Sequence, residues 1–166
     1  MHGAAIAIQL AATTCVLTFC ALIGLNRPLA ALAAVAFASA TAGICVAASL
    51  DGFLIPAFAH PHLTIGTGQV DMDGAIAAGA IVIQYATKFA LALMAISVLL
   101  LSLELFSARI LPVVAWAGVG LSLIQGIALV AFAVLTPHNV AFSALPLLIW
   151  QLVLGIAWRA RRAALA

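Results

Sequence analysis

The chain has 166 residues, of which 67% are hydrophobic and 6% are charged, and its formal net charge is +2. A soluble domain has roughly one charged residue in four, so this composition excludes an ordinary soluble fold and favours helices whose solvent is lipid. The sequence has no basic patch with interleaved aromatic residues, which argues against nucleic-acid binding.

Five apolar runs are each long enough to cross a bilayer, which takes about 20 residues. In chain order the runs cover residues 4–25, 29–58, 74–106, 111–135 and 140–158. They predict an all-α fold, a polytopic integral membrane bundle of five transmembrane helices that forms a single domain over 1–166, with an outer loop over 59–73. Because Pro146 interrupts the last run, four full spans with a re-entrant fifth segment remain an alternative.

The arginines indicate how the chain is threaded. They follow the first, third and last runs, at Arg27, Arg109, Arg159, Arg161 and Arg162. Cytoplasmic segments of membrane proteins are enriched in Lys and Arg, so we expect the N-terminus outside and the C-terminus in the cytoplasm. No basic segment precedes the first run, which predicts a retained helix rather than a cleaved signal peptide. The alanine-rich composition and the arginine bias favour the inner membrane of a bacterium.

Two rows of small residues predict close helix packing. Each row has a small residue at every fourth position, and the members are Ser39, Gly43 and Ala47 in the second run and Gly118, Ser122 and Gly126 in the fourth. Such rows let helix backbones approach each other within lipid. We expect contacts inside the bundle, and an interface with a second copy of the chain is the alternative.

A few polar residues interrupt the apolar runs and predict an intramembrane polar layer. Its members are Asp51, Gln84, Tyr85, Lys88, Gln125 and Gln151. A charged lysine at the bilayer centre costs about 2.5–3.5 kcal/mol on insertion scales, and the stem of Lys88 is long enough to reach toward Asp51. We therefore expect an Asp51–Lys88 ion pair. The layer could form a transport path, or its side chains could hydrogen-bond between helices and fix their packing.

The four histidines fall at the N-terminus or in the gaps that the arginines avoid, at His2, His60, His62 and His138. In the expected threading they share the outer face, where imidazoles are ligands for copper or zinc. A haem held by two histidines would need His60 and His138 to face each other. The His-x-His spacing is diagnostic of none of these cofactors, so ordinary interfacial histidines remain an alternative.

No diagnostic catalytic motif such as HExxH or GxSxG occurs in the chain. We therefore expect a non-catalytic protein whose partners are the lipid bilayer and other membrane subunits or a second copy. Its predicted role is that of a small accessory or structural subunit. Two alternatives are a small transporter or channel component that uses the polar layer, and a metal- or haem-binding protein that uses the outer histidines.

Overall fold

The computed structural model of the protein describes residues 2–58, 72–132 and 134–163. These residues form helices joined by short connections, and no strand occurs among them. The helices are α1 (His2–Ile23), α2 (Pro28–Ser49), α3 (Ile55–Phe58), α4 (Met72–Ser107), α5 (Pro112–Ala131) and α6 (Pro137–Ala163). The predicted all-helical class is confirmed.

Five helices are long and apolar enough to span a membrane, as the five apolar runs predicted. The last of them is continuous through Pro146 and has 27 residues. Its length exceeds the roughly 20 residues that suffice to cross a bilayer, and the re-entrant arrangement stays an alternative. It begins at Pro137, earlier than expected from the sequence, since proline is accommodated in the first turn of a helix.

The second span changes its helix type near its end. Between α2 and α3, Leu50–Leu54 form a π-helical turn in which the Ile55 N–H bonds to the Leu50 carbonyl. Pro56 accounts for the change, because it has no N–H and its ring would clash with the carbonyl oxygen four residues earlier. Single π-helical turns occur frequently at functional sites, and Asp51 lies in this one.

Helix α4 is the central element of the bundle. Its 36 residues extend over about 54 Å at 1.5 Å per residue. It packs against α2, α5 and α6, while α1 packs against α2 and α6. The spans therefore follow one another around the bundle, and α6 closes it by returning to α1.

The helix ends that carry the arginines meet at one end of the bundle, the arginine end. Arg27, between α1 and α2, forms a salt bridge of 2.7 Å with Glu104 near the end of α4. Phe19 of α1 and Trp158 of α6 stack edge to face there, with ring centroids 5.4 Å apart. Successive spans are thus antiparallel, and the start of α1 lies at the opposite end.

The connection between α4 and α5 is a tight helix cap. The Ile110 N–H bonds to the Leu105 carbonyl at 2.8 Å, and the Arg109 N–H bonds to the Phe106 carbonyl at 3.0 Å. This is the Schellman pattern, whose left-handed position is usually a glycine. Arg109 occupies that position with a φ of 53°. The cap turns the chain back within a few residues and holds α5 beside α4.

Along α1 and α6, the hydrophobic core lies in the part of each helix that is nearer the arginine end. On α1 the buried apolar residues begin at Val16 and continue to Cys20, and on α6 they run from Leu147 to Leu154. Phe37 from α2 and Met94 from α4 complete this region, and neither has measurable solvent exposure. The first turns of α1 and α6, at the opposite end, contribute no fully buried residue to this core among those described.

Candidate functional site: a cavity opposite the arginine end

A cavity of about 620 Å³ lies at the end of the bundle opposite the arginines. Its described walls come from α1, α2, the π-helical turn, α4, α6 and the segment between α5 and α6. Small-molecule sites typically have volumes of about 300–1,000 Å³ with mostly apolar linings. The lining is mostly apolar here too, with Ile44, Leu91, Val140 and Leu148 among its residues.

The cavity exists because α1 and α6 leave a gap there. At the arginine end the two helices are held together by large side chains, Phe19 against Trp158. At the opposite end α6 presents Ala141 and Ala144 to the cavity, and α1 presents Ile8. Alanine side chains cannot fill the distance between helices that bulky aromatic rings hold apart elsewhere, so the space at this end stays open.

The wall of the cavity includes the π-helical turn of the second span through Asp51. Asp51 is exposed, whereas Lys88 is half-buried and does not line the cavity. Both residues take part in a hydrogen bond or an electrostatic interaction. Asp51 thus supplies a carboxylate at the cavity, and the ion pair with Lys88 stays a prediction.

Gln84 supports the cavity wall formed by the segment between α5 and α6, because its side-chain amide binds the backbone of that segment. Its Nε2 donates to the Leu135 carbonyl at 2.7 Å, and the Leu135 N–H donates to its Oε1 at 2.9 Å. Leu135 lies in the non-helical segment between α5 and α6 and lines the cavity. The Gln84 amide thereby supplies both hydrogen bonds that the Leu135 backbone would otherwise lack in a non-helical segment.

A cluster of polar side chains joins α1 to α2 beneath the cavity. Gln9 Nε2 donates to Thr41 Oγ1 at 3.1 Å, and the Thr13 and Thr41 hydroxyls lie 2.5 Å apart. All three residues are buried. The sequence analysis did not identify this cluster, although Gln9 and Thr13 are four residues apart and therefore share a helix face. Their partner Thr41 lies on another helix, and the sequence alone does not show which residues of α2 face α1.

The remaining residues of the predicted polar layer lie away from the cavity. Tyr85 is 72% exposed on the surface of the bundle. Gln125 is buried in α5 and Gln151 is partly buried in α6. Gln125 Nε2 and both polar side-chain atoms of Gln151 have no hydrogen-bond partner among the described residues. Of the six layer residues, only Asp51 and Gln84 meet at the cavity wall.

The rows of small residues lie partly at helix contacts. A Cβ added at Gly43 would lie 3.2 Å from the Ala90 Cβ, and one added at Gly118 would overlap the Ser102 hydroxyl and lie 2.7 Å from the Trp150 ring. Ala47 and Ser122 are also buried. Ser39 is exposed, and a Cβ at Gly126 would meet open space. Close packing therefore involves four of the six residues.

The predicted histidine site lies outside the described part of the chain. His60 and His62 are in the segment that the structure leaves undescribed, as are the side chains of His2 and His138. The predicted copper, zinc or haem binding stays a prediction. Among the residues that are described, no group of three or more His, Cys, Asp or Glu side chains could hold a metal ion.

The cavity offers hydrogen-bonding groups to a bound molecule. Its described polar groups are one carboxylate, two amides and two hydroxyls, from Asp51, Gln9, Gln84, Thr87 and Thr136. One of these amides, that of Gln84, is used by the backbone of Leu135.

Compared with known proteins, the chain matches no family model, no curated protein and no solved structure.

Proposed function

We propose that this chain is a non-catalytic, multi-pass membrane protein that binds a small, mostly apolar molecule. The observation that supports the proposal is the cavity of about 620 Å³ with its apolar wall and few polar groups. In this proposal the protein lies in the inner membrane of a bacterium with its arginine end in the cytoplasm, following the positive-inside rule. The cavity then opens toward the outer side.

Binding is favoured over conduction because the core on the arginine side is tightly filled. Phe37, Met94 and Leu101 are each at most 1% exposed there. A channel needs a continuous path lined by groups that replace the hydration of its ion, and the described core residues leave no such path. A transporter would share this cavity and would need a second conformation that opens at the arginine end.

The accessory-subunit role predicted from the sequence is the second candidate. The face of α5 that points away from the bundle supports it, since Val113 and Val130 are 80% and 88% exposed. A partner helix could cover this face. Lipid covers an apolar face equally well, whereas lipid gives no reason for a cavity with internal polar groups, so the binding function takes precedence.

Native mass spectrometry of protein extracted from its own membrane in mild detergent tests the proposal. The informative variant is Ala144→Phe, which fills the cavity, and the matched control is Ala38→Phe on the exposed face of α2. We expect a small-molecule mass increment on the wild type and on the control, and its loss in Ala144→Phe. An increment that survives in Ala144→Phe, or bare protein in all three samples, would contradict cavity binding. Retention of a partner polypeptide with no small molecule would favour the accessory role.

A further inference from the structure

We infer that the ligand of this cavity is an uncharged, largely hydrocarbon molecule that carries a hydroxyl group. The inference rests on the proposed binding function and deepens it by naming the class of ligand. It follows from which polar atoms at the cavity are already used for structure and which are left to face a ligand.

Gln9 offers a hydrogen-bond acceptor to the cavity. Its side chain is 5% exposed, and its Nε2 is used by Thr41. The Thr41 hydroxyl donates to the Phe37 carbonyl at 3.0 Å, so its oxygen accepts from the Gln9 amide nitrogen. Gln9 Oε1 is left without a hydrogen bond to any described residue while Gln9 lines the cavity. An amide oxygen that faces a cavity and is not used by the protein can accept a hydrogen bond from a ligand.

Thr87 offers a hydroxyl at the same cavity. Buried threonines within helices commonly donate to a carbonyl of their own preceding turn, as Thr13 and Thr41 do here. The half-buried Thr87 hydroxyl has no such bond within the described part of the chain. It can therefore donate to a ligand oxygen or accept from a ligand hydrogen.

The two groups lie at similar depth in the bundle. Gly43 of α2 faces Ala86 and Ala90 of α4, which places Thr87 beside this part of α2. Gln9 bonds to Thr41, two residues from Gly43. The difference in depth is therefore within about one helical turn. Both groups are therefore available to the same end of a ligand, which needs a hydrogen for Gln9 Oε1 and an oxygen or hydrogen for Thr87 Oγ1.

The charge at the cavity disfavours other head groups. The described lining contains no Lys, Arg or His side chain, so these residues offer a carboxylate or phosphate no counter-charge, and an ionised carboxylate could not donate to Gln9. The carboxylate of the lining, Asp51, already has an interaction of its own, so the inference does not rest on it. Moving an uncharged hydroxyl from water into an apolar site also costs less free energy than moving a charged head group there.

The test uses three photoreactive probes with one hydrocarbon chain and different ends, a hydroxyl, an ammonium and a carboxylate. The wild-type protein in lipid nanodiscs is irradiated with each probe, and labelled peptides are located by mass spectrometry. We expect the hydroxyl probe to label the cavity-lining peptides of α1 and α4 most strongly. In Thr87→Val this labelling should fall about fivefold, the effect of one hydrogen bond, and Thr87→Ser should restore it.

Thr14→Val is the matched control, because the Thr14 hydroxyl is exposed and bonds within its own helix to the Leu10 carbonyl. It should leave the labelling unchanged. Equal labelling of the cavity by all three probes, with no effect of Thr87→Val, would overturn the inference and leave the binding function standing. Preference for the ammonium probe would also overturn it and assign recognition to Asp51. Absence of cavity labelling with every probe would overturn both proposals.

Discussion

The side-chain amide of Gln84 pairs with both polar groups of the Leu135 backbone. The two hydrogen bonds measure 2.7 and 2.9 Å and join α4 to the segment between α5 and α6. The Leu135 side chain is buried, so the amide holds a non-helical segment against the bundle. Gln84 therefore replaces the hydrogen bonds that a continuing helix would have supplied, and it shapes the cavity wall.

Gln84→Leu should lower the free energy of unfolding by about 1–3 kcal/mol, because it leaves a donor and an acceptor of the Leu135 backbone unpaired. Thermal or denaturant unfolding of the protein in detergent micelles measures this change.

Gln151→Leu is the matched control for that variant. The polar side-chain atoms of Gln151 are buried and have no hydrogen-bond partner among the described residues. Replacing them with an apolar side chain should leave the stability unchanged or increase it. Equal losses for Gln84→Leu and Gln151→Leu would show that the Leu135 bonds are not what makes Gln84 matter.

Gly118→Ala should destabilise the bundle by about 1–3 kcal/mol, since overpacking a close helix contact forces neighbours to move. The added Cβ would overlap the Ser102 hydroxyl and the Trp150 ring. Gly120→Ala, on the same helix, adds a Cβ with nothing within 4 Å and should stabilise by about 0.5–1 kcal/mol through helix propensity. If the unfolding midpoints of Gly118→Ala and Gly120→Ala shift in the same direction, the close contact at Gly118 is ruled out.

The Arg27–Glu104 salt bridge should respond unequally to loss of its two partners. The Glu104 side chain is 5% exposed and that of Arg27 is 45% exposed. Arg27→Met leaves a buried carboxylate without its counter-charge and should lower the free energy of unfolding by about 2 kcal/mol. Glu104→Gln should cost less, because the partly exposed Arg27 guanidinium can be hydrated instead. The double variant should be more stable than Arg27→Met alone. A double variant less stable than either single one would argue against this account of the pair.

Arg109→Gly should stabilise the cap between α4 and α5 by about 1 kcal/mol. Arg109 has a left-handed backbone conformation with a φ of 53°, which costs roughly 1–2 kcal/mol for a residue with a Cβ and is free of that penalty for glycine. Arg109→Ala keeps the Cβ and serves as the control for loss of the charge. A glycine variant no more stable than the alanine variant would show that backbone strain is negligible there.

The helices could be predicted from the sequence because apolar length is a local property. The runs 4–25 and 111–135 correspond to α1 and α5 within a few residues. The helix change near Pro56 also has a local cause, the missing N–H of proline, and the sequence contains that signal.

The use of each polar residue could not be predicted in this way, because hydrogen-bond partners come from other helices. Gln84 was expected in a polar seam, and its actual partner is the backbone of Leu135, 51 positions away. Thr41 was not singled out, since a threonine in an apolar helix gives no indication of a partner such as Gln9. The cavity depends on the gap that Ala144 leaves, which only the packing of α1 and α6 reveals.

Two-sided cysteine labelling tests the central claim most directly, namely that the cavity opens away from the arginines and ends at a packed core. Single cysteines in a background without Cys15, Cys20 and Cys45 are introduced by Ala141→Cys at the cavity, Ser97→Cys in the core and Ala160→Cys at the arginine end. A membrane-impermeant thiol reagent is applied to intact cells and to inverted membrane vesicles. We expect Ala141→Cys to react only in cells, Ala160→Cys only in inverted vesicles, and the fully buried, nearly isosteric Ser97→Cys in neither. Reaction of Ser97→Cys from either side, or of Ala141→Cys from the arginine side alone, would contradict the account.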